Sequence, residues 1–195
     1  MPSKNEEDKR NQILEALNAC LQNKPFDQTS IKEIAKAAGV NHGLLHYYFK
    51  NKEDILIHYI DYVINHYKRM FTDWLNRPEM EGHEQKKRIS AFFLFMNERI
   101  TLNKALSKVF IEIWEIAAYN PSVKAKLRQA YREWVDTLAA MLQRLIIDPD
   151  VSRRISTAIV AFLEGMALFS IILEPDEAEF QKILAGFQEK IVDML

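Results

Sequence analysis

His42 and His46 stand four residues apart in VNHGLLHYYFK, so a helix through this segment puts both imidazoles on one face. Two histidines at that spacing make half of a zinc site. No Glu follows the first and no third ligand is evident, so no metal is expected here. The other chemistry open to the pair is recognition. A neutral imidazole donates to or accepts from a base edge, and a protonated one is drawn to phosphate. Leu44, between them, can either touch a thymine methyl or pack back against a neighbouring helix. Lys50 follows four residues on, and Thr29 precedes them; both carry groups that bind phosphate oxygens. Gly43 leaves backbone bare where a close approach to DNA would need it, though a packing glycine reads the same way.

A second group of residues suggests a cavity. Phe92, Phe95, Met96, Phe110, Trp114, Trp134, Met141, Met166 and Phe169 are aromatic or sulfur-bearing positions in long apolar patterns. Each is also an ordinary core residue. Glu112 and Glu115 flank Trp114, and Glu164 interrupts the most apolar stretch of the chain, TAIVAFLEGMALFSIIL. A buried carboxylate needs a partner, which a cationic or hydrogen-bonding ligand, a structural Arg or a backbone amide can supply.

The elements that must position these groups are helices. Only 5 Gly and 6 Pro occur in 195 residues, and Pro25, Pro78, Pro121, Pro149 and Pro175 fall between stretches rich in helix formers. Ile13, Leu14, Leu17, Cys20 and Leu21 recur at helical spacing. Ser30-Ile-Lys-Glu33 has the form of a capping box, and Gly39 ends the short helix that follows. Asn41 caps a second short helix to about Lys50, and Asn51 caps a longer one from Lys52. Further helices are expected at about 84–102, 104–118, 122–146, 151–173 and 177–194. The fold class is all-α, with about nine helices and no confident strand. The apolar stretch 157–173 is short for a membrane span and carries Glu164 at its centre, so it reads as a helix buried on most faces.

Composition removes several functions. No G-x-G-x-x-G or G-x-x-x-x-G-K loop is present, and no Ser/Cys-His-acid spacing or metal cluster suggests an enzyme. A single cysteine and an N-terminus without an apolar run suit a soluble protein of a reducing, cytoplasmic compartment. Cys20 itself reads as a structural residue on an apolar helix face. Residues 1–52 carry 8 Lys and Arg against 6 Asp and Glu, a balance of +2, while the remainder is −3 and the whole chain −1. Residues 1–8 are expected to form a flexible tail, and without their acidic residues the segment is more basic.

Residues 31–50 therefore spell two short helices joined by Gly39-Val40-Asn41. Ala35 stands four residues before the glycine, where crossing helices need a small side chain, and Ile34, Val40 and Leu45 point into the joint. That is a helix-turn-helix, whose second helix reads the major groove. The segment from Phe26 to Ile55 resembles the N-terminal signature of TetR/AcrR-family transcriptional regulators. Thr29, Ile34, Ala35, Ala38, Gly39, Val40, Gly43, Leu45, Tyr48, Phe49 and Lys52 match in register. The resemblance departs at Asn41, His42, Leu44 and His46, on or beside the base-facing surface, and those departures bear on the operator sequence rather than on the fold.

The resemblance implies a three-helix helix-turn-helix DNA-binding domain, residues 1–52, and a larger helical ligand-binding and dimerisation domain, residues 53–195. It implies contacts to double-stranded DNA from Thr29, Asn41, His42, Gly43, Leu44, His46, Tyr47, Lys50 and Lys52. It further implies a homodimer on a palindromic operator, repression, and release by a small, largely apolar effector, with no cofactor and no membrane partner. The two final helices resemble in position a dimeric four-helix bundle, with Ala158, Ala161, Phe162, Gly165, Ile183, Phe187 and Ile191 on the shared face. A different reading keeps the DNA-binding domain and makes the protein a platform for another protein, without a small-molecule effector.

Overall fold

The computed structural model describes residues 4–76 and 85–194, all of whose regular structure is helical. Among the described residues nine α-helices run in order: α1 (Lys4–Leu21), α2 (Ile31–Ala37), α3 (His42–Tyr48), α4 (Lys52–Leu75), α5 (Gln85–Met96), α6 (Lys104–Tyr119), α7 (Pro121–Leu142), α8 (Pro149–Ile172) and α9 (Glu177–Met194). A π turn, Asn97–Thr101, follows α5. Pro78, read as a helix boundary, lies outside the described residues. Residues 4–8, expected as a loose tail, instead form the first turn of α1. Glu6 and Glu7 favour that start, since carboxylates near a helix N-terminus meet its unpaired amides.

The chain forms two compact units. The first comprises residues 1–67 with 108–128, and the second comprises 68–107 with 129–195. The first is wider than residues 1–52, the segment expected to bind DNA, because residues 53–67 and 108–128 also belong to it. Its centre is built by Ile13, Leu17, Ile34, Leu45, Phe49, Ile55, Leu56 and Tyr59, each essentially without solvent exposure. These are the positions that the apolar spacing of α1 and the helix-turn-helix pattern turn inward. Burying eight such side chains contributes on the order of 1.5–3 kcal/mol each before conformational entropy is set against it.

The second unit has an aromatic core. Phe71 meets Phe92 edge-on at 5.4 Å and Phe95 at 5.2 Å, and Phe93 stands 6.1 Å from Phe187. Helix α8 is long and apolar enough by composition to cross a membrane. Within this unit it buries Ser152, Ser156, Ile159, Leu163, Met166, Ala167 and Ser170 along one face. Its serines are compatible with burial because each donates to a backbone carbonyl one turn away, Ser156 to Ser152 at 2.7 Å and Ser170 to Ala167 at 2.7 Å. The opposite face leaves Ala158, Ala161 and Phe169 exposed.

Candidate nucleic-acid interface

Local chemistry builds the α2–α3 unit. The Ser30 hydroxyl accepts from the Glu33 amide at 3.2 Å while Glu33 Oε2 accepts from the Ser30 amide at 2.8 Å, the reciprocal pair that the sequence spells. The Lys24 ammonium, and after it the Ser30 amide, hold the Glu33 carboxyl down to about 2. Gly39 adopts φ +61°, the left-handed conformation that a Cβ disfavours, and the Val40 amide then returns to Ala35 O at 3.0 Å. Gln12 of α1 ties the turn by donating to Ala38 O at 2.6 Å. Asn41 Oδ1 accepts from the Leu44 amide at 2.7 Å and so opens α3.

Helix α3 buries Leu45 and turns its other side outward. Asn41, His42, Gly43, His46, Tyr47 and Lys50 are exposed, and Leu44 is half-buried. The two imidazoles pack edge to face with centroids 4.5 Å apart. Tyr47 is 70% exposed, and its hydroxyl donates to Glu6 at 3.3 Å. Glu6 thus stands beside the recognition helix rather than in a detached tail, and it subtracts from the positive balance there. No group of three or more His, Cys, Asp or Glu side chains that could hold a metal ion is found among the described residues.

Two expected phosphate ligands occupy other positions. Thr29 is buried, at 1% exposure, and its hydroxyl donates to Pro25 O at 3.0 Å. Its β-carbon faces the core and its one proton is committed, so the side chain is not presented to a phosphate. Lys52 Nζ donates to Phe26 O at 2.6 Å and to Asp27 O at 3.4 Å, and lies 4.3 Å from the centre of the Phe26 ring. Partial burial lowers its pKa, with the charge of Asp27 opposing. Lys52 closes the α1–α2 loop from below. Phe26 is held from the other side too, because its amide donates to Glu112 Oε2 of α6 at 2.8 Å.

That bond relocates a residue expected in a ligand cavity. Glu112, with Phe110, Trp114 and the exposed Glu115, belongs to the first unit, whereas Phe92, Phe95, Met96, Trp134, Met166 and Phe169 belong to the second. The expected lining is therefore two sets. Phe92, Phe95 and Met96 are buried, and Phe169 is 48% exposed. Phe95 lines a pocket of about 240 Å³ together with Met70, Asp73, Trp74, Glu98 and Arg99, none of the other five of which was expected in the lining. Glu164 has its pKa raised to about 7 by burial, against the opposing hydrogen bond of Tyr131.

Ala158, Ala161, Phe162, Gly165, Ile183, Phe187 and Ile191 all keep exposed or half-exposed surface in the single chain. Phe162 and Phe187 stack face to face at 3.7 Å, joining α8 to α9. Nothing stands within 4 Å of where a Cβ on Gly165 would lie.

A capped turn and a short, outward-facing second helix above a closed three-helix core define a helix-turn-helix DNA-binding protein. Residues 13–59 match the model of the tetR family of bacterial regulatory proteins, and residues 85–193 match that of the BetI-type transcriptional repressor C-terminal region. The chain belongs to the TetR family of transcriptional regulators, and it is a regulator rather than an enzyme. Among its relatives, the transcriptional regulator BetI of Serratia proteamaculans (strain 568) is 23% identical over 165 residues, covering 84% of this chain and 81% of that one. The BetI of Yersinia pestis (strain Pestoides F) is 25% identical over 138 residues, covering 71% and 69%. In fold, a TetR transcription regulator from Haloarcula marismortui ATCC 43049 superposes with a TM-score of 0.81 at 18% identity over 97% of this chain and 98% of that one. A Saccharomonospora viridis protein crystallised in complex with choline gives 0.77 at 17% identity over 94% and 96%.

Proposed function

We propose that this regulator is a cytoplasmic homodimeric repressor that binds a palindromic operator and is released by a small organic cation. The observation that carries the reading is the face of α3: Asn41, His42, Gly43, His46, Tyr47 and Lys50 are exposed together above a buried Leu45. Lys50 binds phosphate, while His42, Leu44 and His46 meet base edges. Phosphate contacts position the helix and base contacts select the sequence. Lys52 and Thr29 support binding indirectly, by holding the α1–α2 loop.

The exposed apolar stripe of α8 and α9 supports the dimer, because isologous pairing through it would bury the surface that the single chain leaves open. The bond from Phe26 to Glu112 supports release. It fastens the loop before α2 to α6, so a ligand that shifts α6 strains or frees the DNA-binding helices.

The effector's charge is read from carboxylates placed beside aromatic rings. Asp73, Glu98, Trp74 and Phe95 line one pocket with Met70 and Arg99, the two carboxylates outweighing the one guanidinium, and burial raises the Glu164 pKa to about 7. The choline bound by the Saccharomonospora viridis protein is of this chemical class. The pocket is smaller than most drug-sized sites, which suits a compact cation. Selection from random DNA should return an inverted repeat, and choline at millimolar concentration should lower the anisotropy of a labelled repeat bound to the protein. Recovery of no symmetric sequence would remove the dimeric reading, and an unchanged anisotropy would remove the cation.

A further inference from the structure

The π turn after α5 carries two polar groups that the rest of the fold does not use. In Asn97–Thr101 the Leu102 amide bonds back five residues to Asn97 O at 2.9 Å, so one more residue than usual is packed into the turn. Such turns cost hydrogen-bond geometry and recur at functional positions in helices. The sequence NERIT contains no proline or glycine to force one. Asn97 and Thr101, four apart in a turn of more than four residues, share a face. They are 7% and 1% exposed, while Glu98 and Arg99 between them are exposed.

Asn97 Oδ1 and Thr101 Oγ1 are the two buried side-chain polar atoms without a hydrogen-bond partner among the described residues. The contrast with other hydroxyls in the chain is informative. Ser107, Thr137, Ser152, Ser156 and Thr157 each donate to the carbonyl four residues back, the usual resolution for a hydroxyl on a helix. At Thr101 the π turn moves the Asn97 carbonyl out of that relation and gives it to the Leu102 amide. Both side chains have apolar isosteres, Leu and Val, that this interior would accept at lower cost, since an unmatched buried polar group is unfavourable. The turn itself packs against α8, within the second unit.

We infer that Asn97 and Thr101 form a polar anchor for the hydroxyl of a small-molecule effector inside the regulatory unit. The chemistry of the two atoms selects the class. Asn97 Oδ1 only accepts, so it requires an O–H or N–H donor; a carboxylate or an ether oxygen offers none. Thr101 Oγ1 accepts or donates, so a single hydroxyl satisfies both, donating to Oδ1 and accepting from Oγ1. A site built this way disfavours an analogue that has lost the proton, because Thr101 can still donate to the ether oxygen but Asn97 Oδ1 would be buried unpaired against it. This anchor rests on the reading that the unit takes a small-molecule effector, and it adds that the effector is an alcohol.

The test is titration calorimetry of the full chain with choline, an alcohol, and with its O-methyl ether, together with melting temperatures of ligand-free wild type, Asn97→Leu and Thr101→Val. The inference expects choline to bind, the ether to bind on the order of tenfold more weakly or less, and either substitution to cause a similar loss for choline. It also expects both variants to melt above wild type without ligand, because each removes an unmatched polar atom. If choline binds and neither methylation nor substitution moves its affinity by more than about twofold, the anchor is overturned and the effector reading stands. If choline does not bind, the cation reading fails and the anchor, which rests on it, is overturned with it, even where higher melting of the variants shows the pair to be unmatched. If the variants melt lower than wild type, a bound water or an internal partner satisfies the pair, and the anchor is overturned whatever choline does.

Discussion

At the scale of single residues, the DNA contacts proposed for the exposed face of α3 are of two kinds. Lys50→Ala should weaken binding to all sequences and flatten the dependence of log affinity on log salt by roughly one phosphate's worth, about 0.9. Leu44→Ala and His46→Ala should instead change which sequence is preferred, by about 1–3 kcal/mol at the affected base pair. Competition binding across single-base operator variants measures both, and a uniform loss from all three changes would remove the base contacts. Glu112 makes a different kind of contact, holding the Phe26 amide. Glu112→Ala strips that partly buried amide of its acceptor and should lower stability by about 1–3 kcal/mol, read from denaturant midpoints. Glu112→Gln keeps a carbonyl oxygen in place and should recover most of the loss.

At the scale of elements, α2 and α3 depend on two local devices and α8 on a missing side chain. Gly39 sits at φ +61°, and the nearest atom to a Cβ there is 3.9 Å away. Gly39→Ala therefore meets no clash, and its cost is conformational alone, about 1–2 kcal/mol, with Asn tolerated better than Ala. Melting curves of the two variants test the order. Gly165 has open space around it within the chain, so Gly165→Leu should leave the helical circular dichroism of the protein intact. If α8 pairs with its copy as proposed, the substitution should nonetheless abolish that dimer in sedimentation equilibrium, because two α8 helices packed face to face would leave no room for the added side chain. A dimer that persists unchanged in this variant would move the interface elsewhere.

For the whole molecule, Glu164 couples stability to pH. Its pKa rises from an ordinary 4.5 to about 7, so between those values the folded chain binds more protons than the unfolded one. Stability therefore falls as pH rises through this window, by at most about 3 kcal/mol in all. Wild type should melt lower at pH 8 than at pH 5, and Glu164→Gln, uncharged at both, should lose that part of the slope. Binding of a cation beside the carboxyl runs the other way and should tighten as pH rises through 7.

How much of this was legible in the chain depended on how far apart the interacting groups lie. The capping box at Ser30 and Glu33, the left-handed Gly39 and the Asn41 cap act over three or four residues, so short motifs specify them, and with them the helix-turn-helix and its outward face. The apolar spacing of α1 likewise names part of the core that closes it. Glu112 and Phe26 are 86 positions apart, and only packing α6 beside the α1–α2 loop makes one the acceptor of the other. Lys52 bears a phosphate-binding group in any sequence reading, yet two carbonyls within reach in three dimensions decide what it holds. Thr29 turned inward for the same reason. The π turn was equally silent, since NERIT continues a helical pattern and a carbonyl shifts away from Thr101 only when α5 ends against α8. Helices and their caps follow from near neighbours in the chain, whereas the partner of each buried polar atom is chosen by whichever distant segment the folded core brings alongside it.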